Sequence, residues 1–246
     1  MPTEPTAAPT EGPLDLVAEL LAAAPADDGR TGTRRLLGAL VARSADLVHG
    51  AEWCSITVMR SESLTTLATS HDDALAADQV QYELGSGPCV DAVVEDHVFR
   101  TGAVQDDPRW PEYGQRVHRE VGVTSVHARR LVLPDGNGSV AALNLYATAP
   151  DAFDERSERD ALLLATQCSL LVSAYLAHER AEHLEKALTS NREIGVAVGV
   201  LMAAHRVPHE EAFAMLRLVS QDTNRKIRDL AAEVARTGEL PRPTSR

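Results

Sequence analysis

Three cysteines, Cys54, Cys89 and Cys168, are the side chains with the greatest capacity for chemistry. Their odd number and wide spacing favour reduced thiols over a disulfide framework. Cys89 follows a glycine-containing turn at residues 85–88 and is expected near a helix N-terminus, where the pKa of a thiol is lowered. Cys89 is therefore the candidate ligand- or redox-sensing residue. Two alternatives stay open for it: a small buried residue of the core, and a catalytic thiol.

The histidines do not form a metal site. His178 and His183 flank the segment HERAEH, which is one residue longer than a zinc-protease motif. Their spacing of five places the two rings about 140° apart on a helix, whereas a shared metal needs a spacing of four. No Cys-x-x-Cys pair is present, and residues 85–87 lack the flanking residues of a nucleophile elbow or a phosphate loop. The sequence predicts no metal site and no enzyme activity.

The acidic charge of the chain is unevenly distributed. Formal net charge is −12 over 246 residues, which argues against a whole-chain binder of polyanions. Residues 188–246 hold nine basic and seven acidic residues and carry +2, so the first 187 residues carry −14. A basic end on an acidic body is typical of some nucleic-acid-binding segments and also of ordinary helical tails.

Nothing in the composition predicts secretion or membrane insertion. Residues 1–13 lack the basic and apolar regions of a signal peptide and are expected to be a disordered leader. No run of about 18 consecutive apolar residues is present. We expect a cytoplasmic protein with no membrane partner.

Periodicity predicts the elements that position these residues. Alternating strands form two hairpins, and helical segments lie before and between them, which indicates an α+β sheet domain. The strands are predicted at 53–59, 64–70, 98–101, 125–133 and 140–147, and the helices at 14–24, 33–48, 72–82, 90–95 and 112–121.

A long helix is predicted to follow the sheet, from residue 154 to about 188. Its apolar positions Leu164, Cys168, Leu171 and Tyr175 recur at spacings of three and four. Such a helix either packs on the sheet as a surface helix or continues into a dimeric coiled coil that joins two domains.

Three shorter helices are predicted after it. The first runs from about 192 to 205, Pro208 opens the second, and Asp222 or Thr223 caps the third. At 100° per residue, the third helix gathers its basic residues on a flank without acids. A flank of this kind binds phosphates or bases, or is a solvated face. The flank consists of Asn224, Arg225, Arg228 and Arg236.

This C-terminal segment resembles the ANTAR domain family. The resemblance is carried by SNREIGVAVGVLM at 190–202, EAF at 211–213, and NRKIRDLA at 224–231. It implies a small three-helix module that binds hairpins in nascent leader RNA and antiterminates transcription, commonly as a dimer. Many relatives have Lys where this chain has Val198, which weakens the expected phosphate contact from the first helix. The residues implied for RNA contact are Arg192, Asn224, Arg225, Lys226 and Arg228.

The region upstream resembles a GAF domain of the kind paired with ANTAR in actinobacterial proteins. The residues that carry the resemblance are YELGSGPCVDA at 82–92 and DDPRWP at 106–111. It implies a sensor for a small-molecule or redox signal, and the fold names neither a ligand nor a cofactor.

The expected fold class is α+β: a GAF-like antiparallel sheet with flanking helices, a long connecting helix, and a C-terminal three-helix ANTAR bundle. The expected function is signal-responsive RNA binding in transcription antitermination, with leader hairpins, an RNA polymerase context and a second copy of the chain as partners. The alternatives are a DNA-binding or dimerisation-only regulator, and a thiol-based sensor or enzyme using Cys89. The predicted divisions are a leader at 1–13, a sensor domain at 14–152, a connecting helix at 153–188, an ANTAR domain at 189–240 and a tail at 241–246.

Overall fold

The computed structural model describes residues 29–95, 97–134 and 138–241. The chain divides into two compact units, the first ending at His178 and the second beginning at Glu179. The predicted leader, the predicted helix at 14–24, residues 135–137 of the second hairpin turn and residues 242–246 lie outside the described part. The other domain limits given above stay predictions.

The first unit contains both helices and strands, and the second is helical. The strands are β1 (Trp53–Arg60), β2 (Ser63–Thr69), β3 (Val98–Thr101), β4 (Ser125–Leu131) and β5 (Val140–Ala147). The helices are α1 (Arg30–Ala42), α2 (Ser44–Leu47), α3 (Asp72–Leu84), α4 (Pro88–Glu95), α5 (Pro111–Val121), α6 (Glu155–His205), α7 (His209–Thr223) and α8 (Ile227–Thr237), with a 3₁₀ turn at Val104–Asp106.

The five strands form one sheet in the order β2-β1-β5-β4-β3, and every neighbouring pair is antiparallel. Both predicted hairpins are present. Cys54 and Ile56 face the side covered by α1 and the first part of α6, together with their partners Leu145 and Leu143 on β5. Tyr146, the next residue along β5, belongs to the core on the opposite side, beneath α3 and α5. The sheet is therefore covered on both faces, and the predicted α+β architecture is confirmed.

The region predicted as one helix at 33–48 is two helices, α1 and α2. They are separated at Arg43, whose N–H donates to the carbonyls of Leu40 and Val41. Val48 still reaches the same core as Leu40. The apolar residues of this segment reach the core although the helix is interrupted at Arg43. Their spacing alone could not distinguish one straight helix from two helices with a bend between them.

Helix α6 is continuous for 51 residues, where the sequence predicted two helices that meet near 188–192. It begins with reciprocal hydrogen bonds in which the Asp154 N–H donates to Ser157 Oγ (3.1 Å) and the Ser157 N–H donates to Asp154 Oδ1 (2.9 Å). Polar residues fill 189–191, but neither Gly nor Pro occurs there to end the helix. The polarity of the side chains changes at 189–191, but the helical backbone continues through these residues.

The apolar part of α6 bears on the expectation that the chain has no membrane partner. Residues 161–178 contain no Asp, Glu, Lys or Arg, and the helix is long and apolar enough to cross a membrane by length and composition. Only 39% of the apolar window is buried in the structure. The core helix of a soluble protein passes the same test, so this feature is weak support for a membrane span.

The second unit has its own core, built by the end of α6 with α7 and α8. The buried residues are Ala197, Val198, Leu201, Ala212, Leu216, Val219, Leu230, Ala231 and Val234. Val198, which departs from the Lys expected at this position in many relatives, is only 2% exposed and packs in this core.

Candidate nucleic-acid interface

The basic residues of the second unit are concentrated where α7 turns into α8. Helix α7 ends at Thr223, and Asn224 adopts a left-handed conformation (φ 50°, ψ 32°) that its short polar side chain tolerates. The Arg225 N–H donates to the Ser220 carbonyl (3.2 Å), and Ser220 Oγ donates to the Arg225 carbonyl (2.6 Å). Two hydrogen bonds between the same two residues therefore hold the turn onto the end of α7.

This geometry corrects the predicted third helix. Helix α8 begins at Ile227 after Lys226, and no side chain caps it, so neither Asp222 nor Thr223 is its N-cap. Asn224, Arg225 and Lys226 therefore form a turn, and helical angles do not apply to them. The left-handed conformation of Asn224 ends α7, and the chain then turns through Arg225 and Lys226. The next helix therefore begins three residues later than Asn224, at Ile227.

Nor is the basic surface free of acids. Arg225 Nη2 lies 2.7 Å from Glu233 Oε2, and Arg228 Nε lies 3.3 Å from Asp229 Oδ1. Both arginines remain exposed, and surface ion pairs contribute about 0–1 kcal/mol. A polyanion can therefore replace these carboxylates at small cost.

Arg228 also lines a groove of about 420 Å³ together with residues of α6. The contributing positions on α6 follow one another at spacings of three and four, so they form one stripe along the helix. Sequence reasoning missed this stripe because it assigned residues up to 188 to a connecting helix. Acidic residues at helical spacing, beginning with Glu182 and Glu185, were the signal that could have revealed it. The groove is lined by Glu182, Glu185, Lys186, Thr189, Ser190, Glu193 and Arg228.

Four of the five predicted RNA-contact residues are neighbours in the sequence, and the structure leaves all four exposed: Asn224, Arg225, Lys226 and Arg228. The fifth, Arg192, is exposed on α6 and does not line the groove. The RNA contacts themselves stay a prediction.

A buried polar cluster in the first unit surrounds Asp78 on α3. Its carboxylate accepts hydrogen bonds from Tyr146 OH (2.6 Å), Thr66 Oγ1 (2.7 Å), Ser55 Oγ (2.9 Å) and Asn144 Nδ2 (3.3 Å). Burial raises the pKa of Asp78 to about 6, against the effect of these four hydrogen bonds.

Sequence reasoning also missed this cluster. Asp78 and Gln81 share a buried helical face with Ala74 and Ala77, at spacings of three and four. Two polar residues at the positions of a buried helical face could have indicated a buried hydrogen-bond network.

Cys89 is the second residue of α4 and is fully buried. Its N–H donates to Gln81 Oε1 (2.8 Å), and burial raises the pKa of its thiol to about 12. The expected lowering by the helix N-terminus is therefore outweighed by the loss of solvent. A thiol in this environment is poorly ionised, and a sensing role for Cys89 stays a prediction.

The other two cysteines are free, buried on the opposite side of the sheet, and also have raised thiol pKa values. Among the residues that the structure describes, no group of three or more His, Cys, Asp or Glu side chains could hold a metal ion.

Solved structures similar to the chain include GAF domains and methionine sulfoxide reductases. The GAF domain of a phosphoenolpyruvate-protein phosphotransferase from Coxiella burnetii is 14% identical, with a TM-score of 0.49 over 72% of this chain and 99% of that chain. The type II free methionine-R-sulfoxide reductase from Thermoplasma acidophilum is 16% identical, with a TM-score of 0.49 over 60% and 97% of the two chains. A free methionine-R-sulfoxide reductase from Neisseria meningitidis is 18% identical, with a TM-score of 0.46 over 69% of this chain and 91% of that chain.

No protein with curated annotation shows significant similarity to the chain. The ANTAR domain family model matches residues 182–234. This match contains every residue that lines the groove, as well as the turn between α7 and α8. Residues 182–234 of this chain are therefore an ANTAR domain.

Proposed function

We propose that the chain is a signal-responsive regulator that binds leader-RNA hairpins through its ANTAR domain and antiterminates transcription by RNA polymerase in the cytoplasm. The observation that carries the proposal is the cluster of Asn224, Arg225, Lys226 and Arg228 at one exposed turn of that domain. Net charge of −12 disfavours tight non-specific binding to polyanions. Recognition of folded RNA by shape and exposed bases fits this balance better. The proposal includes no catalysed reaction.

Hairpin affinity of the full chain tests this function. The double variant Arg225→Ala with Lys226→Ala is expected to lose about tenfold or more in affinity, and its salt slope is expected to fall by about 2 because two exposed cations that contact phosphates are removed. Arg217→Ala, which removes an exposed arginine from α7, is the matched control and should change neither. Equal affinities for all three proteins would refute the assignment. Stronger competition by duplex DNA than by hairpin RNA would favour the DNA-binding alternative.

We propose that the first unit is a GAF-type sensor of a small-molecule or redox signal. The resemblance at 82–92 and 106–111 supports this, and both segments lie around α4 and the start of α5. If the signal is oxidative, an oxidant should change the RNA affinity of the wild-type chain. The RNA affinity of the Cys89→Ser variant should not change. The same response in both proteins would remove Cys89 from the mechanism and leave a small-molecule signal.

We also propose that the active species is a homodimer joined along α6. Apolar side chains lie exposed on this helix at multiples of seven residues: Leu163, Leu170 and Leu184, with Leu188 four residues further on. In the first unit this face is opposite the one that packs on the sheet. Spacings of seven and four describe the seam of a two-stranded coiled coil, in which such side chains are buried against the partner helix. The exposed leucines therefore favour the coiled-coil alternative for α6.

Sedimentation equilibrium tests the dimer. Leu184→Glu with Leu188→Glu places charges in the seam and should convert the dimer to a monomer. Leu218→Glu changes an equally exposed leucine on α7 and should leave the mass unchanged. A wild-type monomer at micromolar concentration would refute the dimer. A dimer without RNA affinity would favour the dimerisation-only alternative.

A further inference from the structure

The groove between α6 and Arg228 has the wrong charge for a phosphate site. Three carboxylates line it, from Glu182, Glu185 and Glu193, against the two cations Lys186 and Arg228. Lys186 Nζ already lies 4.0 Å from Glu182 Oε2, so one of the cations is partly neutralised. A phosphodiester entering here would meet net negative charge.

The same groove is well suited to an uncharged, flat, hydrogen-bonding group. Its volume of about 420 Å³ falls within the range of small-ligand sites, roughly 300–1,000 Å³. Thr189 and Ser190 offer hydroxyls that both donate and accept. The Arg228 guanidinium is planar and can stack on a base, and carboxylates accept from exocyclic amino groups.

Glu193 is the carboxylate best placed for this task. Its side chain is half-buried in the groove, and no residue in the described part of the chain forms a hydrogen bond or ion pair with it. Glu182, by contrast, faces Lys186, and Glu185 is more exposed.

We infer that the groove receives one unstacked base from the loop of the bound hairpin, and that the base carries an exocyclic amino group. Glu193 accepts a hydrogen bond from this amino group, and Arg228 stacks on the ring. Adenine, cytosine and guanine qualify, and uracil does not, because it has no amino group. The exposed side chains of Arg225 and Lys226, which precede Arg228 by three and two residues, are left for the phosphates on either side. The inference rests on the proposed function, since it assigns a base-reading role within the same RNA-binding domain.

The experiment uses the full chain and a library of RNA hairpins with one fixed stem and a randomised loop. Selection is expected to enrich loops with A, C or G, and not U, at one position. The best hairpin is then compared with a copy in which the amino group at that position is removed, for example purine riboside in place of adenosine.

Glu193→Ala should bind the selected hairpin about tenfold more weakly than the wild type, the size expected for one lost base contact. With the amino-lacking hairpin, wild type and variant should bind equally. Glu210→Ala is the control, because it removes the same charge from an exposed position outside the groove. Alanine favours helix, so Glu193→Ala should keep its fold, and circular dichroism checks this.

The two ways to fail are distinct. If no library member binds the wild-type chain better than the bare stem, the proposed function itself fails. If hairpins bind but Glu193→Ala binds as well as Glu210→Ala, or more tightly, the groove acts only through charge and the inference is overturned. A loss for Glu193→Ala that persists with the amino-lacking hairpin also overturns it.

Discussion

Protonation of Asp78 should make the stability of the first unit depend on pH. The carboxyl has an ordinary pKa of 3.8 and a pKa of about 6 in the folded chain, because burial outweighs its four hydrogen bonds. The folded state therefore holds the proton more tightly than the unfolded state. This contribution to stability is fully present below about pH 4 and is lost as the pH rises through about 6. The difference in pKa corresponds to a loss on the order of 3 kcal/mol.

Asp78→Asn removes this titration and keeps the shape of the side chain. The amide adds a donor where the carboxylate only accepts, but the three hydroxyls of the cluster can rotate, and Asn144 Oδ1 has no hydrogen-bond partner in the structure. Any fixed cost of the substitution is the same at every pH. The free energy of unfolding of the variant, relative to the wild type, should therefore rise by on the order of 3 kcal/mol between pH 4 and pH 8.

Urea unfolding at several pH values, followed by tryptophan fluorescence, measures this difference. Both tryptophans, Trp53 and Trp110, lie in the first unit, so the signal reports on that unit. Glu62→Gln, which neutralises a carboxylate at an exposed turn, is the control. A difference for Asp78→Asn that stays constant between pH 4 and 8, or falls, would mean that the hydrogen bonds outweigh burial, and the reasoning would be refuted.

Three further outcomes test the packing of the first unit. Gly114→Ala should destabilise it by about 1–3 kcal/mol in urea unfolding, because the new methyl group would meet the Val104 carbonyl. Trp110→Phe should cost about 1–3 kcal/mol by thermal unfolding, since it removes the indole N–H that donates to Asp91 Oδ2 at 2.6 Å. The three cysteines should react with a thiol reagent only as fast as the chain opens, because all are buried; rapid labelling of Cys89 at neutral pH would contradict the structure.

The sequence was most informative where the two faces of a strand differ in polarity or where a turn is clearly marked. Alternation of Cys54 and Ile56 with Ser55 and Thr57 located β1 to within about a residue, although both of its faces are buried. The Asp-Gly and Asn-Gly signals at 135–138 located the start of β5. The same rule failed in two places where the backbone, and not polarity, decides. A bend at Arg43 preserved the apolar spacing, and a change of polarity near 189–191 did not interrupt α6.

The candidate functional residues were predictable by type but not by geometry. Local sequence pointed to Arg225 and Arg228, but it did not predict the left-handed conformation of Asn224 that ends α7. The partnership of Arg225 with Glu233, eight residues away, follows from that turn. Asp78 meets Ser55 and Asn144 only because the sheet joins β1 to β5, a pairing of residues about 90 positions apart that no local pattern contains.

The two hydrogen bonds between Ser220 and Arg225 bear on the thermodynamics of recognition. A segment that must fold onto its ligand loses conformational entropy on binding, and the association then shows a large negative heat-capacity change. The turn that carries the basic side chains is held in the free chain by these two hydrogen bonds. If the ANTAR domain binds RNA as proposed, this turn docks as a preorganised surface and adds no folding contribution of its own to the heat capacity of binding.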